Sequence, residues 1–404
     1  MNKYADLLKT RGVARIISAQ LTARLPSGML SLAYLLHIEA IFDSYGLAGL
    51  VLAATSLGQA IAGPLTSRWM GYWAMRPVII VTIAVSILSM AGIAFASLPI
   101  GGYIIVGFIG GLATPPIQPA VRTIYPTMVN SKQLTPLFSL DASAQEIIWI
   151  AGPVITTFVA TQISTVWAIL VAAAFLVGGG VWFLSCRELG TVTIPPSRSK
   201  MGVVLKKPAV LLATVVGFLL IGSAAAVEVA VVSVFGEEGA QAGLVLAIWA
   251  FGSIVGGLGL GGLAIGPWAL ATRMAVVFIG ISLAGFILDF WWISFALLIA
   301  GAGIAPALAV MFAIVSSSVK FSETAEAYGW MGSGQLVGAA LGSAIAGFAI
   351  DGFGSPGGFA AAAGFALVGV LVATVFKKAH PDLRGKDPSP IPDTEPVRTI
   401  TEQP

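Results

Sequence analysis

The chain has 404 residues, 57% of them hydrophobic and only 10% charged, with a mean hydropathy of +0.95. A soluble domain carries about 25% charged residues, so this composition excludes a soluble enzyme, a disordered regulator and a nucleic-acid binder. The formal net charge is +3, and the single cysteine, Cys186, leaves no internal disulfide, zinc site or iron–sulfur cluster to build.

A helix needs about 20 apolar residues to cross a bilayer, and twelve runs of that kind follow one another along the chain. They lie near 14–37, 46–66, 77–97, 101–124, 136–162, 165–186, 209–234, 240–264, 271–288, 292–318, 324–350 and 356–376. The polar, basic segment Met1 to Arg15 precedes the first run, and no small-residue cleavage site follows that run, so it is expected to insert rather than to be removed. The predicted fold is an all-α membrane protein. Of the 21 Lys and Arg residues, 20 fall at the N-terminus, in alternate loops and in the tail, and only Arg24 lies inside a span. Basic residues stay on the cytoplasmic side, which predicts cytoplasmic termini.

The longest internal polar stretch, 187–208, divides the chain into six spans and six. The predicted organisation is an N-terminal bundle (1–186), a flexible cytoplasmic linker (187–208), a C-terminal bundle (209–378) and a disordered cytoplasmic tail (379–404). The halves are related. An offset of 194 pairs Ala48–Ala53 with Ala242–Ala247, Gly58 with Gly252 and Gly63 with Gly257. An offset of 190 pairs Gln145 with Gln335, Gly152 with Gly342 and Pro116 with Pro306. Two parallel repeats predict a site at mid-membrane that opens alternately to each side.

Twelve spans, cytoplasmic termini, a basic central linker and duplicated halves resemble the major facilitator superfamily of secondary transporters, over about residues 12 to 378. After the second span Gly63, Leu65, Arg68, Gly71 and Arg76 are similar to that family's glycine–aspartate–arginine signature, with Ser67 where the aspartate is usual. The resemblance implies that Arg68 and Arg76 take part in gating. Gly152-Pro153 is similar to the core of the antiporter signature, although Ile148 replaces its earlier glycine and Gly107 stands near the arginine of many proton antiporters.

A charge at mid-bilayer costs about 2.5–3.5 kcal/mol on insertion scales, so each one needs a purpose. Arg24 in the first span and Glu146 in the fifth lie at matching depth. They form either a permanent ion pair or a switch in which Glu146 takes a proton or cation and releases Arg24. Trp149 shares the Glu146 face and either lines a ligand cavity or packs. Glu228, toward the outer end of the seventh span, is a candidate proton carrier or gate residue. Gln118, Gln145 and Gln335 orient a substrate or join helices. Arg122 and Asp141 are expected as a salt bridge near the cytoplasmic ends of the fourth and fifth spans, closing an inner gate, and His37 as an interfacial histidine. Pro115, Pro116 and Pro119 interrupt the fourth span.

No phosphate-binding Gly-x-x-x-x-Gly-Lys-Ser/Thr loop, metal-ligand cluster or catalytic nucleophile–base set is present, so no cofactor is expected and the chain is not read as an enzyme. The expected function is proton-coupled export of a small molecule by a monomer in a bacterial cytoplasmic membrane. The alternatives are an uptake symporter or facilitator for a sugar, amino acid or organic acid, and a non-transporting membrane sensor or scaffold.

Overall fold

The structure, a computed structural model, describes residues 2–197, 199–236, 240–261 and 263–393. Its helices in chain order are α1 (Asn2–Lys9), α2 (Val13–Arg24), α3 (Pro26–Phe42), α4 (Tyr45–Trp73), α5 (Met75–Phe95), α6 (Ile100–Leu112), α7 (Ile117–Met128), α8 (Ser131–Ala144) and α9 (Glu146–Gln162). They continue with α10 (Thr165–Ser185), α11 (Arg187–Thr191), α12 (Pro208–Phe235), α13 (Ala240–Leu260), α14 (Ala269–Ala284), α15 (Phe290–Ser318), α16 (Phe321–Phe353) and α17 (Ser355–Val375). Eleven continuous or kinked helical segments are long and apolar enough to span a bilayer. The expected ninth span is the shorter α14, only 16 residues long. No strand occurs among the described residues; the single β-bridge joins Lys320 to Ile391.

Three spans of the first half are interrupted near their middles, and two of the interruptions follow from proline. Pro26 has no amide hydrogen, so α2 stops at Arg24 and a second helix starts at Pro26. Pro115 and Pro116 break the fourth span between α6 and α7, and the Ser86 hydroxyl donates to the carbonyl freed at Ala113 (2.8 Å). The fifth span is interrupted at the single residue Gln145. Their counterparts α12, α15 and α16 run unbroken.

The duplication is visible in the packing. In the first half Gly58 lies against the Phe108 carbonyl and Gly152 against Gly28. In the second half Gly252 lies against the Leu298 carbonyl and Gly342 against Gly222. These are the same two close helix approaches at the same two offsets, each with room for hydrogen only. Glycine lets backbones meet where lipid tails provide no hydrophobic drive for helix association.

The halves meet along the end of the molecule that carries α1, residues 187–208 and the tail, here called the linker face. α4 packs on α16, and α8 packs on α13 and α15. Every hydrogen bond or ion pair recorded between the halves among the described residues lies from this face to mid-depth: Tyr4–Gly257, Arg68–Glu326, Ser139–Gly257, Glu146–Ser253 and Ser333–Ala60. The molecule is therefore sealed at the linker face.

Two expectations are corrected there. The linker is not a free tether: α11 and a 3-10 turn (Val203–Lys206) form within it, and Tyr72 donates to the Ser197 carbonyl (3.1 Å). The tail is not free either, up to Asp393; residues 394–404 lie outside the described residues. Leu383 N donates to the Ile265 carbonyl (2.9 Å), Ile391 bridges Val319 and Phe321, and Asp393 accepts from Ser322 N and Oγ at the start of α16. Proline and mixed charge imply disorder only when a segment finds no surface, and this one finds exposed backbone between α15 and α16.

His380 anchors the tail and makes its docking pH-dependent. It is buried, and its Nδ1 lies 2.7 Å from the Pro381 carbonyl, which can only accept, so Nδ1 carries the proton. Nε2 is buried without a hydrogen-bond partner among the described residues, so protonating it would bury a cation poorly compensated by Asp382, and burial holds the imidazole below its ordinary value. With the folded value below the unfolded one, the stabilisation is complete above about pH 6.5 and is lost as pH falls through and below that value. Amide exchange at Leu383, corrected for intrinsic rates, should therefore speed up between pH 8 and pH 5.5. A His380→Asn protein should show no such change; equal protection at both pH values in the unsubstituted protein refutes the anchor.

Candidate functional site

The interruptions of the first, fourth and fifth spans bring polar groups to one level, where an otherwise apolar bundle holds a buried network. Arg122 on α7 donates through Nε to Asp141 Oδ2 on α8 (2.9 Å), and their side chains are 1% and 0% exposed. Asp141 Oδ1 also accepts from Gln20 Nε2 and from the Tyr125 hydroxyl, each at 3.0 Å. Arg24 donates to Gln20 Oε1 (2.8 Å) and to Gln145 Oε1 (3.3 Å), and Arg122 Nη2 shares that Gln145 oxygen at 3.3 Å. Across the seam the Arg122 guanidinium stacks on the Phe312 ring of α15 at 3.4 Å. The network thus holds two guanidiniums and one carboxylate; Arg122 alone bonds the carboxylate, and both arginines bond the Gln145 oxygen.

The predicted Arg24–Glu146 pair is not formed. Depth along two helices is right for both residues, but adjacent positions on a helix point about 100° apart, and it is Gln145 that faces Arg24. Glu146 turns to the other half, where its Oε1 accepts from the Ser253 hydroxyl of α13 (3.0 Å), whose oxygen in turn accepts from Ala305 N (3.2 Å). Glu228 on α12 has no hydrogen-bond partner among the described residues, is exposed, and lies near enough to Glu146 for their charges to interact. Trp149, one turn beyond Glu146, is 56% exposed.

Arg122 and Asp141 do meet, but deep in the bundle rather than at its surface. Arg24 also borders a small pocket inside the first half, whose polar lining comes from Ser27, Tyr34, Thr55, Gln59, Ser86 and Thr114. Gln335 lies apart, against Gly217, with its amide nitrogen buried and without a partner among the described residues; Gln118 is half-buried in the first turn of α7. His37 is buried near the end of its span, its two ring nitrogens bonded to Thr165 Oγ1 (2.9 Å) and the Ile93 carbonyl (3.0 Å).

At the linker face Arg68 pairs with Glu326 of α16 (2.9 Å) and also contacts the Ser199 carbonyl. Glu326 Oε1 accepts from Gly202 N (2.7 Å), and Glu323 pairs with Lys207 (2.6 Å) and accepts from Ser199 Oγ (3.0 Å). This network ties both halves to the linker. Arg76 is not part of it among the described residues: its Nη2 reaches the Cys186 carbonyl (3.5 Å), within the first half. Sequence reasoning missed Gln20, Tyr125, Ser253, Glu323 and Glu326. The two glutamates carried a signal, being acids at the start of a span that faces a basic loop.

The chain matches the Major Facilitator Superfamily over residues 16–288 and 268–401, and it belongs to that family. No curated protein sequence matches it significantly. Its fold is similar to that of the human organic anion transporter MFSD10 (TM-score 0.68, 16% identity, covering 90% of this chain and 99% of that one). It is also similar to the proton:xylose symporter XylE (0.71, 13%, covering 93% and 97%) and to the Escherichia coli fucose:proton symporter FucP (0.70, 13%, covering 90% and 98%). At these identities the likeness is one of fold.

Proposed function

We propose that this family member couples the movement of a small polar molecule to protons, most directly as an exporter. The observation that carries the reading is the hydrogen bond from Ser253 to Glu146, which joins the two halves at mid-depth. A carboxylate there accepts from Ser253 and holds the halves together; a protonated one loses part of that attraction, so proton occupancy biases which side the halves open to. Glu228, near enough to interact with Glu146 and without a hydrogen-bond partner among the described residues, would pass the proton toward the face opposite the linker. If the linker face is cytoplasmic, as the distribution of basic residues predicts, the sealed linker face makes this a state closed to the cytoplasm.

The cargo reading rests on Arg24. Two guanidiniums around Asp141 leave one positive charge in excess beside a pocket lined by hydroxyl and amide groups. That favours a solute bearing a carboxylate or phosphate, and one protein of similar fold transports organic anions. Uptake by symport is the second reading, supported by the similar folds of two proton symporters.

Proteoliposomes loaded with a pH-sensitive dye separate these readings. Organic acids, sugars, amino acids and lipophilic cations are offered in turn, and the direction of proton movement is read against solute movement. Counter-flow of protons and an organic acid supports export, co-flow supports symport, and solute flux without proton flux rejects coupling. Glu146→Gln should cut proton-driven flux at least ten-fold while leaving solute exchange in place; undiminished proton coupling in that variant removes Glu146 from the mechanism.

A further inference from the structure

A second charged site lies outside the transport path, where α2 begins and α10 ends. Gly12, with φ +85°, makes the turn between α1 and α2 that places Arg11 and Arg15 around one cavity, and a Cβ at Gly12 would collide with the Glu188 carboxylate. The cavity, about 410 Å³, is lined by Arg11, Gly12, Arg15, Arg187 and Glu188. Glu188 is its one acid, and both its oxygens lie 2.7 Å from Arg15 Nη2. Arg11 and Arg187 are exposed and have no hydrogen-bond or ion-pair partner among the described residues. Three arginines against one glutamate leave an excess of two positive charges.

The position decides what such a charge is for. Val13 starts one membrane span and Ser185 ends another, so the cavity opens at the level of lipid headgroups. Below it the exposed face of α10 continues through Trp182, Val181 and Val177, a tryptophan at the interface and apolar side chains toward the bilayer. We propose that this cavity binds the phosphate of an anionic glycerophospholipid, with Arg11 and Arg187 holding the headgroup and the acyl chains lying on the α10 face. Basic pockets between membrane helices take anionic headgroups for the same reason: each near-surface cation adds attraction to the phosphate, and the low-dielectric boundary screens it poorly. A soluble phosphate offers the same charge but has no use for the apolar face, which is why the lipid is preferred.

The test uses the full chain, purified and delipidated in a neutral detergent. Native mass spectrometry and thermal unfolding are titrated with phosphatidylglycerol, phosphatidylcholine and inorganic phosphate. Phosphatidylglycerol should bind and stabilise and phosphatidylcholine should not. In Arg11→Gln/Arg187→Gln the apparent affinity for phosphatidylglycerol should fall roughly 30-fold. Arg11→Lys/Arg187→Lys should keep most of it. Equal unfolding temperatures of all three proteins in phosphatidylcholine establish that the variants fold. Equal binding of both lipids, or full retention in the glutamine variant, overturns the proposal. Displacement of the lipid by inorganic phosphate at sub-millimolar concentration assigns the site to a soluble anion and overturns it as well.

Discussion

Replacing Asp141 by asparagine is expected to destabilise the folded protein by about 3–5 kcal/mol, the usual cost of removing one partner from a buried ion pair. The carboxylate is fully buried and accepts from Arg122, Gln20 and Tyr125 at once. The substitution preserves shape and leaves Arg24 and Arg122 with no counter-charge in the network. Reversible unfolding in mixed micelles measures the loss. Arg122→Gln with Asp141→Asn should be less destabilised than Asp141→Asn alone, because removing the second charge removes most of the desolvation cost. Equal stability of Asp141→Asn and the parent would mean that the pair is already water-accessible, and the network would no longer be a closed element of the first half.

That network also marks how far the sequence reads. The spans were legible because bilayer thickness sets their length and the lysines and arginines report alternation; the repeat was legible because glycines recur at two offsets. Both signals are local or periodic. Which side chains meet is neither. Matching depth on two helices that are neighbours in the resembling fold points Arg24 at Glu146, but the azimuth that hands it to Gln145 instead depends on the interruption at Gln145 and on how α9 packs on α3 through Gly152 and Gly28. Arg122 and Asp141 were found because they are 19 residues apart across one loop. Glu326 was missed because its partner Arg68 is 258 residues away and its backbone partner, Gly202, lies in a segment read as a free linker. The tail failed in the same way, since its order comes from the edge formed by Val319 and Phe321 rather than from its own composition.

The seam beside Arg68 offers the larger conformational effect. Gly329 of α16 faces Gly63 of α4 so closely that a Cβ on Gly329 would stand 2.5 Å from the Gly63 carbonyl oxygen and 2.8 Å from Pro64 Cα. Those are backbone atoms, which cannot rotate away as a side chain would. Gly329→Leu should therefore penalise the sealed state by about 1–3 kcal/mol, as overpacking does, while costing little in a state where α4 and α16 have separated at this end. A penalty carried by one of two states shifts their ratio by about 5–150-fold. Gly332, one turn further along α16, has nothing within 4 Å of its Cβ position, so Gly332→Leu is the matched control. Spin labels at Lys132 and Leu263, exposed on opposite halves of the linker face, report the separation in a Cys186→Ser background. The distance distribution should lengthen in Gly329→Leu and stay as in the parent in Gly332→Leu. Transport in Gly329→Leu should slow, because each cycle would have to close a seam that no longer closes. If the two leucine variants give the same distances, the glycine pair is only a contact, and the force sealing the linker face must be sought in the Arg68–Glu326 and Lys207–Glu323 pairs alone.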